Sequence, residues 1–129
     1  MALASSPAHT STRGSIHADD VFSAVANPRR RQVILLLDEC AADVDVGELA
    51  VKMAARENQI DPGAVDSEQR KRVYIALTQR HLDTLADVGA IRYDDRQKVV
   101  GATDRTTHLA DDIRRLAADW GTPERDDAR

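Results

Sequence analysis

The sequence predicts a mainly α domain with a small β-hairpin and one further helix at its C-terminus. Three observations predict it. A long amphipathic stretch, 66–88, has helix-start and helix-stop signals at its two ends and no Pro or Gly between them. Shorter helical patterns precede it, and an alternating apolar–polar hairpin, 91–101, follows it. A last helical stretch, 104–120, then ends at Gly121, Thr122 and Pro123. Three helices followed by a two-stranded hairpin is the order of a winged helix-turn-helix domain.

The long stretch is read first, because the others are arranged about it. Asp66 is suited to the N-cap, and Gln69 three positions on completes a capping-box pattern. Gly89 ends the helix, since glycine takes the left-handed conformation without steric cost. At about 100° per residue, Val73, Tyr74, Leu77, His81, Leu85 and Val88 share one side. Arg72, Ala76, Gln79, Arg80 and Asp83 share the other, with Gln69 at its margin. The inner side is fit for burial and makes His81 a core histidine. The outer side is either an ordinary solvated face or a reader of base edges. Arginine and glutamine have the paired donor and acceptor geometry that purines accept in a major groove.

Upstream, residues 1–18 are rich in Ser, Ala, Thr and Pro and read as a disordered leader. The domain is set at 19–120 and a flexible charged tail at 121–129. A short helix from Asp19 turns Val21, Phe22, Val25 and Ala26 inward. Asn27 and Pro28 restart the chain as N-cap and first helical residue. The next helix buries Val33, Ile34, Leu36, Leu37 and Cys40. Arg29, Arg30 and Arg31 in its first turn oppose the helix dipole, which points to pairing with carboxylates or to phosphate contact. After a loop with a short strand near Val44, Asp45 and Glu48 form a second capping-box pattern. They open a helix whose stripe is Val46, Leu49, Ala50, Met53 and Ala54. Asn58 to Val65, with Asp61-Pro62-Gly63, is a loop.

Downstream, Ile91 and Tyr93 alternate with polar residues, Asp94 to Gln97 form a turn, and Val99 and Val100 begin the returning strand. Arg96 and Lys98 sit near the hairpin tip. Along the last helix Leu109, Ile113, Leu116 and Trp120 form one apolar seam. That seam either packs on its own domain or pairs with a second copy in a homodimer.

Composition narrows the classes. The net charge is −4, so nucleic-acid binding would rest on local patches. Lysine occurs only at Lys52, Lys71 and Lys98, and Asp outnumbers Glu, a bias expected of a salt-loving archaeon with GC-rich DNA, the alternative being a GC-rich mesophile, which shares the Arg and Ala bias. The single Cys40 excludes an intramolecular disulfide. No run of about 20 apolar residues is present, and the N-terminus lacks a signal-peptide core, so a cytoplasmic protein without a membrane partner is expected. No nucleophile with its base, phosphate loop, paired buried carboxylates or metal cluster is apparent, so an enzyme is the least supported class. Neither a cofactor nor a metal is expected.

A resemblance adds to this reading. His81–Asp94 resembles the end of the recognition helix and first wing strand of ArsR- and MarR-type transcriptional repressors. Ala26–Leu37 and Val46–Met53 resemble the two preceding helices of that group. The combination of Asn27–Arg31, Glu48–Ala50, Arg70–Asp94 and a final helix is more similar to an uncharacterised haloarchaeal winged-helix family. The resemblance covers roughly Asp19 to Trp120. The step from Glu48 to His81 is longer than in compact ArsR-type chains, so base-contacting positions are taken from the wheel instead. The cysteine motif of the metal sensors is absent from 48–53.

The expected function is sequence-specific binding of double-stranded DNA by a transcriptional regulator. The helix 66–88 and the wing 91–101 carry it, through Gln69, Arg70, Lys71, Arg72, Gln79, Arg80, Arg96 and Lys98. The alternative is a winged-helix protein–protein adaptor that does not bind DNA.

Overall fold

A computed structural model of the chain describes residues 17–120. The predicted tail lies outside the described residues, as does the predicted leader except for His17 and Ala18, the N-cap and first residue of α1. The helices are α1 (Ala18–Val25), α2 (Pro28–Glu39), α3 (Val46–Asn58), α4 (Ser67–Ala76), α5 (Leu82–Asp87) and α6 (Asp104–Trp120). A 3₁₀ turn, Pro62–Ala64, lies in the loop before α4. The strands are β1 (Val44–Asp45), β2 (Ile91–Asp94) and β3 (Val99–Ala102). They form one antiparallel sheet in the order β1-β3-β2, with Val100 opposite both Val44 and Tyr93. This is the winged helix-turn-helix arrangement with an added C-terminal helix.

Local chemistry explains each boundary. Asn27 caps α2 by accepting from the N–H groups of Arg29 (2.9 Å) and Arg30 (3.1 Å). Asp66 and Gln69 make both bonds of the capping box, at 2.8 and 2.9 Å. The second expected box does not form: Asp45 stands at the N-cap of α3, but its side chain makes no cap bond. Asp45 belongs to β1, and the Val46 N–H is taken by the Lys98 carbonyl at 2.9 Å. Sheet pairing thus satisfies the first donor of α3, while the next two, which a side-chain cap would take, are not bonded by Asp45.

The core is aliphatic. Val33, Ile34, Leu36 and Leu37 of α2 meet Val46, Leu49, Ala50, Met53 and Ala54 of α3 and the inner face of the long helix. The expected inner face of α1 is corrected. Ala24 is buried and Val21 and Val25 pack against the core, whereas Phe22 is 66% exposed and Ala26 is exposed. With only eight residues, α1 meets α2 through the Val21–Ala24–Val25 edge, and Phe22 is turned away from it. Cys40 is half-buried at the C-cap of α2, just past the helix.

The three arginines of α2 divide between two uses. Arg29 makes a bidentate pair with Glu57 of α3, both bonds 2.7 Å. Arg30 donates to the carbonyls of Ser23 and Ala24, and Arg31 to that of Val25. They satisfy the last carbonyls of α1, where cations also favour the dipole.

The predicted single helix 66–88 is helical throughout but not uniformly α. Residues Leu77–His81 form a π-turn between α4 and α5. The reason lies in the side chains to be buried. On an ideal wheel Leu82 falls about 140° from Leu77. The wider turn brings both His81 and Leu82 onto the buried seam with Val73, Leu77 and Leu85. Thr78, within the wider turn, donates to the Tyr74 carbonyl before it, and Thr84, just after it, to the Arg80 carbonyl within it, both at 3.0 Å.

The helix ends in a Schellman motif. Gly89 has φ +74°, its N–H bonds the Ala86 carbonyl, and the Ala90 N–H bonds the Leu85 carbonyl. The first turn of α6 then covers this end. Arg105 donates to the Val88 carbonyl (2.8 Å), Thr103 to that of Gly89 (2.9 Å), and the buried Thr106 to that of Ala90. Further along, Arg114 of α6 pairs with Asp38 of α2 at 2.8 Å.

His81 is the one titratable side chain among the buried described residues. Its Nδ1 lies 3.4 Å from Arg30 Nη1, which donates to the neutral ring. Burial first, then the charges of Arg30, Arg29 and Arg80, hold its pKa below the ordinary 6.5, and Glu57 opposes this. The unfolded chain therefore binds a proton that the folded chain resists. Stability is full above pH 6.5 and falls as the pH drops from there towards the folded-state value. Urea melts at pH 7.5, 6.5 and 5.5 will show this loss in the wild type and a shallower one in His81→Gln, which can still accept from Arg30. Equal pH slopes in the two proteins would refute the assignment.

Candidate nucleic-acid interface

The outer side of the long helix is fixed by its buried side. With Val73, Leu77, His81, Leu82 and Leu85 held in the core, Arg70, Lys71, Arg72, Gln79 and Arg80 are all exposed. The π-turn begins after Arg72, so the triplet 70–72 keeps regular α spacing while Gln79 and Arg80 ride on the wider turn. Gln69 is half-buried and its amide oxygen accepts from the Asp66 N–H, which leaves only its NH₂ group to face outward.

Arg70 lies against the N-terminus of α3. A Cβ on Gly47 would stand 3.3 Å from Arg70 Nη1 and 3.1 Å from Asp45 Oδ2, so the glycine leaves the room that these two side chains use. Beside them is an open groove of about 610 Å³, lined by Asp45, Gly47, Glu68, Arg70, Lys71 and Tyr74 among others.

The hairpin tip differs from the reading of its two cations as equal. Asp94 accepts from the N–H groups of Arg96 and Gln97, forming the turn, and Arg96 is exposed. Lys98 has φ +56° and its ammonium pairs with Asp95 at 2.7 Å. Asp95 also accepts from the Tyr93 hydroxyl at 3.0 Å. The Lys98 and Tyr93 bonds hold Asp95 below the usual carboxylate range, and the Asp95 bond raises Lys98. Burial first, then Asp95, raises the Tyr93 hydroxyl, and Asp83 of α5 adds to this. Tyr93 of β2 and Asp95 and Lys98 of the turn thus form one hydrogen-bonded cluster at the hairpin tip. Sequence patterning missed it although the three lie within six residues; the (i, i+3) spacing of Asp95 and Lys98 was the available signal.

The sheet carries one further ion pair. Arg92 pairs with Asp43 at 2.8 Å directly over Gly101, where an added Cβ would collide with both partners.

These pairs leave an uneven distribution of charge. Among the described residues, Arg29, Arg56, Arg92, Lys98, Arg114 and Arg115 are paired with carboxylates. Arg30, Arg31 and Arg105 donate to main-chain carbonyls. The described cations with neither kind of partner are Lys52 on α3, Arg70, Lys71, Arg72 and Arg80 on the long helix, and Arg96 on the hairpin. No group of three or more His, Cys, Asp or Glu able to hold a metal ion occurs among the described residues. No described helix is long and apolar enough to cross a membrane.

The predicted α6 seam divides in two. Leu109 and Ile113 are half-buried against the core beside the buried Thr106 and Ala110. Leu116 (59% exposed) and Trp120 (83% exposed) project from the distal half.

A search of curated proteins and of solved structures gives no match. A family model does match, over residues 22–101, from Phe22 in α1 to Gly101 in β3. It spans the three core helices and most of the sheet and stops short of α6. On that match the chain belongs to the family described as Domain of unknown function (DUF7344).

Proposed function

We propose that this protein binds double-stranded DNA sequence-specifically and acts as a transcriptional regulator, with the long helix in the major groove and the hairpin against the backbone. The observation that carries the reading is the position of the unpartnered cations. The chain is acidic overall and pairs six of its described cations with carboxylates, yet Arg70, Lys71, Arg72, Arg80 and Arg96 make no salt bridge among the described residues and stand on the helix and hairpin that meet DNA in this fold. Arg72, Gln79 and Arg80 are the base readers in this proposal, and Arg70, Lys71 and Arg96 hold phosphates, which position without specifying sequence. Gln69 and Lys98 take lesser parts, because each already serves a local bond.

In this proposal the composition points to a halophile's molar salt, where the Debye length is about 3 Å, so counterion release contributes little and short hydrogen bonds supply affinity. Arginine with its fixed fork suits that condition better than lysine.

The distal half of α6 supports a homodimer. Its proximal half is used within the domain, so Leu116 and Trp120 are the part of the seam left for a second copy. Two-fold pairing there sets two long helices about 34 Å apart on successive major grooves. The same exposed side chains favour the second reading, a protein adaptor, whose contact would then lie on α6 and not on the cationic face.

Selection of bound duplexes from a random pool in molar potassium chloride tests the main reading. One sequence family is expected to be enriched, with at least tenfold weaker binding for Arg72→Ala and Arg80→Ala, in keeping with about 1–3 kcal/mol per base contact. No enrichment, or equal binding by both variants, rejects it. For the dimer, sedimentation at micromolar concentration in high salt should give twice the chain mass, and Trp120→Ala should shift it to the monomer; a wild-type monomer rejects this interface.

A further inference from the structure

Among the exposed residues from Asp66 to Arg80, one is a large apolar side chain. Ile75 is 40% exposed, while every other exposed residue there is polar or charged. It lies in the regular α part of the helix, four residues after Lys71 and three after Arg72, so these three side chains adjoin on one face. Gln79, four residues further on, is exposed as well. The isoleucine is therefore set beside cations that make no salt bridge among the described residues. Intrinsic propensity does not favour it there: a β-branched residue is a poorer helix former than Lys, Gln or Ala.

Resting on the DNA-binding reading above, we infer that Ile75 reads the 5-methyl group of a thymine in the major groove, flanked by Lys71 and Arg72. The chemistry favours this occupant. The thymine methyl is the one apolar group that base edges present in that groove, and it is met by apolar side chains. The surrounding unpartnered cations are complementary to phosphate and would repel a basic protein surface. An apolar protein partner would leave those cations desolvated without counter-charge. Ile75 thus supplies sequence information that hydrogen bonds do not, and its contact does not weaken in concentrated salt.

The test uses the full chain and the duplex obtained by selection. Each thymine in that duplex is replaced singly by deoxyuridine, which removes only the methyl group. Wild-type protein should bind about fourfold more weakly at one or two positions, the value for one buried methyl-sized group. Ile75→Ala should show no such discrimination, and Ile75→Val should retain it. Arg72→Ala should bind less tightly overall yet keep the thymine-to-deoxyuridine ratio. Circular dichroism of Ile75→Ala should show the wild-type helical spectrum and a cooperative melt, as Ile75 is not part of the core cluster. A flat scan for the wild type, or an undiminished ratio in Ile75→Ala, overturns the inference while leaving DNA binding intact. Failure to enrich any duplex overturns DNA binding itself, and the Ile75 assignment with it.

Discussion

The constraint on which the structure depends is the burial of one seam along the long helix. Val73, Leu77, His81, Leu82 and Leu85 must all face the core, and they do not share one side of an ideal α-helix. The chain resolves this with a π-turn at Leu77–His81. One consequence is local, since hydroxyls of Thr78 and Thr84 bond carbonyls before and within the widened turn. Another is distant. Leu82 in the seam orients α5, α5 delivers Gly89 to its left-handed turn, and α6 starts by bonding the carbonyls of Val88, Gly89 and Ala90. The outer face follows from the inner one: each buried position fixes which neighbours reach solvent.

The second organising feature is how the domain uses its charges. Ion pairs join α2 to α3 (Arg29–Glu57, Arg56–Glu39), α2 to α6 (Arg114–Asp38) and the start of the sheet to β2 (Arg92–Asp43). Each is at least partly exposed, so each contributes at most about 1 kcal/mol. They take up arginines at the seams between elements, whereas Arg70, Lys71, Arg72 and Arg80 of the long helix and Arg96 of the hairpin make no salt bridge among the described residues. Exposed carboxylates, Glu68, Asp83, Asp94 and Asp95, stand on the same two elements.

Capping and hairpin signals made most of the fold legible, because they act over three or four residues. The Asp66–Gln69 box, Asn27 with Pro28, Gly89, and the alternation of Ile91 and Tyr93 all depend on local backbone chemistry. So did the stripes of α2 and α3. What failed was periodicity taken to be uniform, or taken without its partner. The wheel omitted Leu82 because it assumed one pitch along the helix. Phe22 was assigned to the core because α1 alone does not say which edge α2 will meet. Asp45 was read as a side-chain cap because local spacing does not show that it pairs as a strand residue with Val99, more than fifty positions away.

By itself, then, the sequence determined the order of elements, their ends and the cationic composition of the helix that follows the Asp61–Val65 loop, all consequences of short-range geometry and periodicity. Only the tertiary structure decided which cations of the chain are taken up across elements. Arg29, Arg56, Arg92 and Arg114 are paired with carboxylates of other segments, and Arg30 and Arg31 are spent on the carbonyls of α1. It also divided the α6 seam into a packed half and an exposed half and left Ile75 in solvent. Such outcomes depend on which surfaces meet across the chain, and periodicity within one segment does not encode that.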